Sequence, residues 1–172
     1  MARDKQKSKV YKWEETFYEK DRLFRKNCIV KQHKRLNKKF FRSFGRGVIL
    51  KITNGDYGCH AQYAGKIVTL RNQFGLNYAI LLHEWAHILA YEYYDKNHSL
   101  ESHGPEFVSI YMNLLNTYLD IDIKEMTRKA REMNIDFISP AKTKAALKLN
   151  KSNKPFSPVD RELLKESFNS TT

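Results

Sequence analysis

Two histidines and a glutamate inside an apolar stretch are the residues best suited to chemistry. His83, Glu84 and His87 interrupt the apolar run 81–89 and form the pattern H-E-x-x-H. In an α-helix, residues four apart share a face, so the two histidines can present their imidazoles to one metal ion. Glu84 can then reach a water activated by that metal, as the general base does in zinc peptidases. The pattern therefore predicts a catalytic zinc site in which Glu84 is the general base.

The motif leaves the third zinc ligand open, because a catalytic zinc ion takes three ligands from the protein. The extended signature H-E-x-x-H-x-x-G-x-x-H fails, since Ala90 and Tyr93 replace its glycine and its last histidine. His103 is the favoured candidate, because it precedes Gly-Pro at a helix start, where a tight turn can aim its ring at the central helix. Three other side chains remain open as alternatives: Glu101, Glu106 and His98.

Hydrolysis also needs a hydrogen-bond donor near the developing oxyanion. Tyr94, on the same predicted helix as the motif, and Tyr111, on the next helix, are the candidates. Aromatic residues at such positions usually serve packing, so packing is the favoured interpretation for both. His33 is predicted to lie at the surface of its helix, because nothing in the sequence places it near the other histidines. His60, in the predicted middle strand, is expected to have a packing or surface role.

The elements around the motif predict an α+β fold of zincin-like type, with a small, mainly antiparallel sheet packed on the H-E-x-x-H helix. Asn54-Gly55-Asp56 is a hairpin-turn signal between the first two strands. The third strand is the candidate edge strand for pairing with an extended substrate. The predicted helices cover residues 10–28, 29–44, 77–94, 103–120 and 123–133. The predicted strands cover residues 48–53, 57–63 and 66–70.

Composition indicates a globular chain with charged flanks. Of the 172 residues, 41% are hydrophobic and 13% aromatic, and no apolar run is long enough to span a membrane. The first residues are charged and contain no apolar signal segment, which favours a cytosolic protein. Cys28 and Cys59 are too few for a disulfide framework. We expect an N-terminal helical segment (1–45) packed on a core (46–137), then a flexible basic tail (138–172), with a transient helix at 160–168.

The charge of the chain is unevenly distributed. Residues 1–46 hold 16 Lys and Arg against 5 Asp and Glu, residues 47–120 hold 4 against 7, and residues 121–172 hold 11 against 7. A mildly acidic centre between basic flanks suits an anionic partner such as nucleic acid, although basic flanks also favour solubility. The second helix supplies the predicted nucleic-acid contacts, which are Lys31, Lys34, Arg35, Lys38 and Lys39.

The combination of motifs resembles a known family. The H-E-x-x-H segment 83–87, a 15-residue spacer and the H-G-P-E-F segment 103–107 are similar to the metal site of SprT-like zinc metalloproteases, the group that includes Spartan. That resemblance implies that His83, His87 and His103 are the Zn²⁺ ligands and that Glu84 is the general base. A V-Y-x-W-E start at 10–14 adds a resemblance to bacterial and phage zinc metallohydrolases, over roughly residues 3–137.

The chain also departs from the Spartan pattern. It has no cysteine or histidine cluster after residue 103, so the zinc-binding subdomain that follows the protease core in Spartan-type proteins is missing from it. The sequence therefore predicts a peptidase acting on a protein or peptide, with nucleic acid as a further partner. The alternatives are a metallohydrolase for another amide or ester, and a nucleic-acid-binding protein with a structural zinc. Whether the basic N-terminal region covers the site as a lid is a further hypothesis.

Overall fold

The structure, a computed structural model, describes residues 4–18, 23–44, 47–55, 58–72, 75–94 and 100–148. These residues form six helices and a three-stranded sheet, which confirms the predicted α+β class. The helices are α1 (Lys7–Glu14), α2 (Lys26–Phe44), α3 (Tyr78–Tyr94), α4 (Pro105–Leu119), α5 (Ile123–Glu132) and α6 (Pro140–Ala146). The strands are β1 (Ile49–Thr53), β2 (His60–Gln62) and β3 (Ile67–Arg71). Within this part of the chain, none of the helices has the length and apolar character needed to cross a membrane.

Helix α3 lies at the centre of the fold and carries the H-E-x-x-H motif. Its sequence is rich in leucine and alanine, which are strong helix formers. The Asn77 side chain accepts a hydrogen bond from the backbone N–H of Ala79 (2.8 Å) and so caps the first turn. Every residue from 81 to 90 is buried, because β2 and β3 pack on one side of the helix and α2 and α4 pack on others. The polar side chains among residues 81–90 are therefore buried, whereas residues 91–94 are partly exposed.

The sheet is mixed, and this corrects the predicted, mainly antiparallel arrangement. Strand β3 is central: it pairs with β1 in parallel, with Ile49 opposite Ile67, and with β2 antiparallel, with His60 opposite Thr69. The hairpin predicted from Asn54-Gly55 does not form between adjacent strands, since β3 separates β1 from β2. Local turn residues specify a bend, whereas burial decides which strand lies in the middle, and the apolar β3 is the most buried.

The same topology overturns the proposed role of the 66–70 segment as an edge strand. Both backbone edges of β3 are hydrogen-bonded to a neighbouring strand, so none is available to pair with a substrate. The edges of this sheet are β1 and β2. Any extended ligand that added to the sheet would have to pair with one of those two strands.

The connection from β3 to α3 depends on a glycine in close contact with backbone. The N–H of Gly75 donates to the carbonyl of Arg71 (2.8 Å). A Cβ at Gly75 would lie 2.6 Å from the backbone nitrogen of Arg71 and would also collide with the Cys59 sulfur. Only glycine fits this turn without a shift of the backbone, and the turn sets where α3 begins.

The N-terminal region contains two helices, as predicted, but the first covers Lys7–Glu14 and not residues 10–28. Helix α1 ends at Glu14, because Thr16 turns back on Trp13 through its N–H (3.1 Å) and its hydroxyl (2.7 Å). Residues 19–22 lie outside the described chain, and α2 begins at Lys26. Val10 and Trp13 lie in α1, and Phe17 lies in the turn that follows. The apolar periodicity continues past the end of α1 because Phe17 also packs on the core.

His33 is buried in α2, contrary to its predicted place at the surface. Its Nε2 lies 2.9 Å from the carbonyl of Val48, and its Nδ1 accepts a hydrogen bond from the Trp85 indole (3.2 Å). Asn37, one turn along, pairs with both backbone groups of Val48, at 2.7 Å each. These contacts fasten α2 to α3 and to the start of the sheet.

The C-terminal helices pack on the face of α4. Asp122 caps α5 by accepting from the N–H of Lys124 (3.1 Å). Helix α6 packs on α4, and the Asn113 amide donates to the carbonyl of Pro140 (2.9 Å). The segment from 138 to 148 is therefore folded, which corrects the flexible tail predicted there, because Thr143 and Leu147 are buried in the core. The tail beyond 148, including the helix expected at 160–168, lies outside the described residues.

Candidate metal centre

Three histidines from two segments of the chain converge at one point. The Nε2 of His83 lies 3.2 Å from the Nε2 of His87 and 3.3 Å from the Nε2 of His103. All three side chains are buried, and their candidate donor atoms lie within 4.8 Å of one another. The H-E-x-x-H spacing places the first two on one face of α3, and the turn before α4 brings the third to them. Among the described residues, the group could hold a metal ion and contains neither Glu101 nor Glu106.

The donor set fits a zinc ion. Two imidazole nitrogens bound tetrahedrally at the usual zinc–nitrogen distance are about 3.3 Å apart, which agrees with the two separations observed. The outward-facing nitrogens of His83 and His103 each face a carboxylate oxygen and so carry the ring proton. Their inward Nε2 atoms then carry lone pairs, which point into the same buried space as Nε2 of His87. Such an arrangement is repulsive unless a proton or a metal ion lies between the nitrogen atoms.

Glu14 holds the ring of His83. Its Oε2 accepts a hydrogen bond from Nδ1 of His83 (2.8 Å), although 69 residues separate the two in the chain. The Glu14 side chain is buried and also hydrogen-bonds with Tyr18 and Tyr111. Hydrogen bonds from His83 and Tyr18, with the Tyr111 hydroxyl close by, thus satisfy a carboxylate that would be costly to bury alone. The tautomer and orientation of His83 follow from this contact.

The other two histidines also have outer partners. Nδ1 of His103 lies 2.6 Å from Oδ2 of Asp4, and His87 hydrogen-bonds to the backbone of Ser102. Carboxylates and carbonyls in these positions are the usual outer partners of histidines that bind a metal. All three imidazoles are therefore fixed in the orientation that directs nitrogen atoms to a common point.

The H-G-P-E-F segment explains why His103 points inward. The N–H of Gly104 donates to the carbonyl of Glu101 (3.0 Å), and a Cβ at Gly104 would lie only 3.1 Å from that oxygen. Pro105 occupies the first turn of α4, where its missing N–H needs no partner. The ring of Phe107 stacks on His87 (4.3 Å between centroids) and contacts His83 and His103 edge-on. Phe107 thus forms an apolar floor beneath all three ligands.

In the metal-free site, burial favours a neutral imidazole with an available nitrogen at His87 and His103, whereas Glu14 favours the protonated ring of His83. Burial lowers the pKa of His87 well below its usual value, and the neighbouring His83 and His103 lower it further. Burial also lowers the pKa of His103, only partly offset by Asp4. Burial acts in the same direction on His83, but the Glu14 carboxylate outweighs it and raises the pKa. Burial raises the pKa of Glu84 to about 7, which suits a group that exchanges protons near neutrality.

The remaining predicted site residues lie in several places. Tyr111 is fully buried, and its hydroxyl lies 3.2 Å from the carbonyl of Ala79, in keeping with packing. Tyr94 is the last residue of α3 and is half-buried against the core. His60 is half-buried, with Nδ1 lying 3.1 Å from the carbonyl of Gly58. His98 lies outside the described residues. On α2, Lys31, Lys34 and Lys38 are exposed, while Arg35 and Lys39 are half-buried.

Sequence reasoning did not assign Asp4, Tyr11 or Glu14 to the site. The ring of Tyr11 stacks on His83 (5.6 Å between centroids) and meets His103 edge-on (5.1 Å). Tyr11 and Glu14 belong to the V-Y-x-W-E segment, which is part of the family resemblance and could have pointed to them. Its spacing, however, is not that of metal ligands. Nothing in the sequence singles out Asp4.

The chain matches no protein-family model, no curated protein and no solved structure. The resemblance to SprT-like proteases therefore rests on the paired sequence motifs.

Proposed function

We propose that the chain is a zinc-dependent metallopeptidase of SprT-like, zincin type. The observation that carries this proposal is the convergence of three buried imidazole nitrogens on one point, beside a buried glutamate on the same helix. Structural zinc sites take four protein ligands, whereas catalytic sites take three and leave a position for water or substrate. Within the described residues, the group supplies three donors, which favours the catalytic type.

The proposed roles of the side chains follow from their chemistry. His83, His87 and His103 would hold Zn²⁺, which supplies an acidified water and polarises the substrate carbonyl when it is bound. The Glu84 carboxylate accepts the proton of the attacking water and delivers it to the leaving amine. Burial favours both steps, because the raised pKa of Glu84 makes proton uptake and release nearly balanced at neutral pH.

The test is hydrolysis of an unfolded protein such as casein by zinc-loaded protein, compared with the Glu84→Gln variant. We expect turnover to fall by about two orders of magnitude or more, because a general base contributes that much. Zinc content should stay at the wild-type level, since Glu84 is not a ligand. Glu106→Gln is the matched control: it removes a nearby carboxylate outside the histidine group and should change neither property.

Two results would contradict the proposal. Equal turnover in wild type and Glu84→Gln would remove Glu84 from the mechanism. Wild-type protein that cleaves simple esters or other amides in a Glu84-dependent way, but no peptide bond, would identify a non-peptidase metallohydrolase.

The exposed lysines of α2 favour nucleic acid as a second partner. Lys31, Lys34 and Lys38 repeat every three or four residues and so share one face of the helix. A structural-zinc protein that only binds nucleic acid would show strongly salt-dependent DNA binding and no loss of function in Glu84→Gln. A peptidase directed to nucleic-acid-bound proteins would show both DNA binding and Glu84-dependent cleavage. Carrying out the casein assay with and without DNA separates these cases.

A further inference from the structure

We infer that the N-terminal segment 4–14 is a working part of the metal centre, in which Asp4 and Glu14 are positioning residues for His103 and His83. The inference rests on the proposed zinc site. It differs from the hypothesis of a covering lid, because it assigns the segment a role in binding the metal. It also predicts that docking of the segment and binding of the metal stabilise each other.

The contact between Glu14 and His83 is the first observation. The carboxylate is buried beside the imidazole, with the hydroxyls of Tyr18 and Tyr111 close to it. A hydrogen bond at 2.8 Å fixes the proton on Nδ1 and leaves Nε2 as the metal-facing lone pair. A carboxylate in this position also raises the basicity of the ligand nitrogen. Packing alone would not require a carboxylate here.

The contacts of the residues before α1 are the second observation. Asp4 faces Nδ1 of His103 at 2.6 Å, while Gln6 donates to the backbone carbonyl of the same histidine at 2.7 Å. Gln6 also exchanges two hydrogen bonds with the backbone of Asp136, at 3.1 Å and 2.8 Å. The segment therefore holds both the ring and the main chain of His103, and Gln6 is itself anchored at the end of α5.

Docking of α1 on the core positions both carboxylates, Glu14 beside His83 and Asp4 beside His103. Trp13 is fully buried and donates from its indole to the carbonyl of Met126 (3.1 Å). Tyr11 lies over the rings of His83 and His103. Because one short segment contacts two of the three ligands, losing its docked position would release both imidazoles at once. Thermodynamic reciprocity then requires that zinc favour the docked segment as much as the segment favours zinc.

The experiment measures zinc affinity of the full chain by competition with a chromophoric chelator, for wild type, Glu14→Gln, Asp4→Asn and Glu15→Gln. We expect the dissociation constant to rise about 10- to 100-fold in Glu14→Gln and in Asp4→Asn, the range typical for loss of an outer partner. Glu15→Gln is the matched control, because it removes the adjacent, exposed carboxylate of the same helix end and should leave affinity unchanged. The visible spectrum of the Co²⁺-loaded proteins should change in the first two variants alone.

Circular dichroism and thermal unfolding establish that each variant is folded. If Glu14→Gln fails to fold, Asp4→Asn decides the question, since the Asp4 side chain is partly exposed and tolerates substitution better. Wild-type affinity and Co²⁺ spectrum in the folded variants would overturn the inference while leaving the zinc site intact. A wild-type chain that binds no zinc would overturn the proposed site and this inference together.

Discussion

At the scale of single residues, the buried histidines of α3 are explained by the groups that they face. His83 and His87 would be a liability inside a helix buried on all sides, but their inward nitrogens meet that of His103 at separations suited to a metal ion. The H-E-x-x-H spacing and the H-G-P turn were sufficient to predict this group from the sequence. The contacts of Asp4 and Glu14 could not be predicted from spacing, because a contact across 99 or 69 residues leaves no local periodicity.

Tyr11 is the tyrosine that the structure places against two of the metal-binding rings, and it is only half-buried. Burial raises its pKa to about 12, with Glu14, Glu84 and Asp4 adding to the shift, so the hydroxyl stays a donor at neutral pH. We expect Tyr11→Phe to lower kcat by roughly 10-fold or more through loss of a donor to the oxyanion, with zinc affinity unchanged.

Tyr94→Phe is the control for this prediction. Tyr94 lies two turns beyond His87, about 10 Å along the helix axis, and its hydroxyl should not matter for turnover. Steady-state kinetics on one peptide substrate compares the two variants directly. Equal kcat in wild type and Tyr11→Phe would exclude Tyr11, and a loss confined to Tyr94→Phe would return the role to that residue.

At the scale of elements, helices were easier to predict than strand order. The apolar run of α3 and the Pro105 start of α4 agree with the structure to within a few residues at each end. The sheet order differed, because which strand lies in the centre is decided by the layers that cover it and not by the Asn-Gly turn. The end of α1 was predicted too late, since Phe17, in the turn that follows this helix, continues its apolar spacing.

The turn before α3 can be tested by glycine substitution. A methyl group at Gly75 would collide with the backbone of Arg71, so we expect Gly75→Ala to lower the free energy of unfolding by about 1–3 kcal/mol. Gly58→Ala is the control, because a Cβ there meets no atom of the described residues within 4 Å, and it should change stability by less than about 0.5 kcal/mol. Urea unfolding of the two variants measures both values. Equal stabilities would contradict the close approach at Gly75.

The contact between α2 and α3 should depend on pH through His33. Burial lowers the pKa of this histidine, and the hydrogen bond to Val48 offsets only part of the effect. As the pH falls below about 6.5, the unfolded chain takes up a proton that the folded His33 does not accept, so stability is lost. The stability that wild type holds over His33→Gln at pH 7.5 should therefore shrink at pH 5.5.

Urea unfolding at both pH values, with a chelator present, measures that difference. The other histidines are common to wild type and His33→Gln, so their titration cancels in the comparison. A stability difference that stays constant between pH 7.5 and 5.5 would contradict a buried, neutral His33.

At the scale of the whole molecule, three parts of the chain meet at one centre. The N-terminal segment supplies outer carboxylates, α3 supplies two candidate ligands and the proposed general base, and the turn before α4 supplies the third candidate ligand. The predicted division into an N-terminal segment and a core therefore understates how closely the two are joined. Composition indicated the basic N-terminal flank, but charge alone could not reveal that Asp4 and Glu14 face inward.

The most direct test of the account is the metal content of the full chain purified without added metal, measured by mass spectrometry for wild type and His103→Ala. We predict close to one zinc ion per wild-type chain and a large loss of zinc in folded His103→Ala. Wild-type protein that carries no metal and takes up no zinc on titration would contradict the three-histidine centre and, with it, the proposed peptidase.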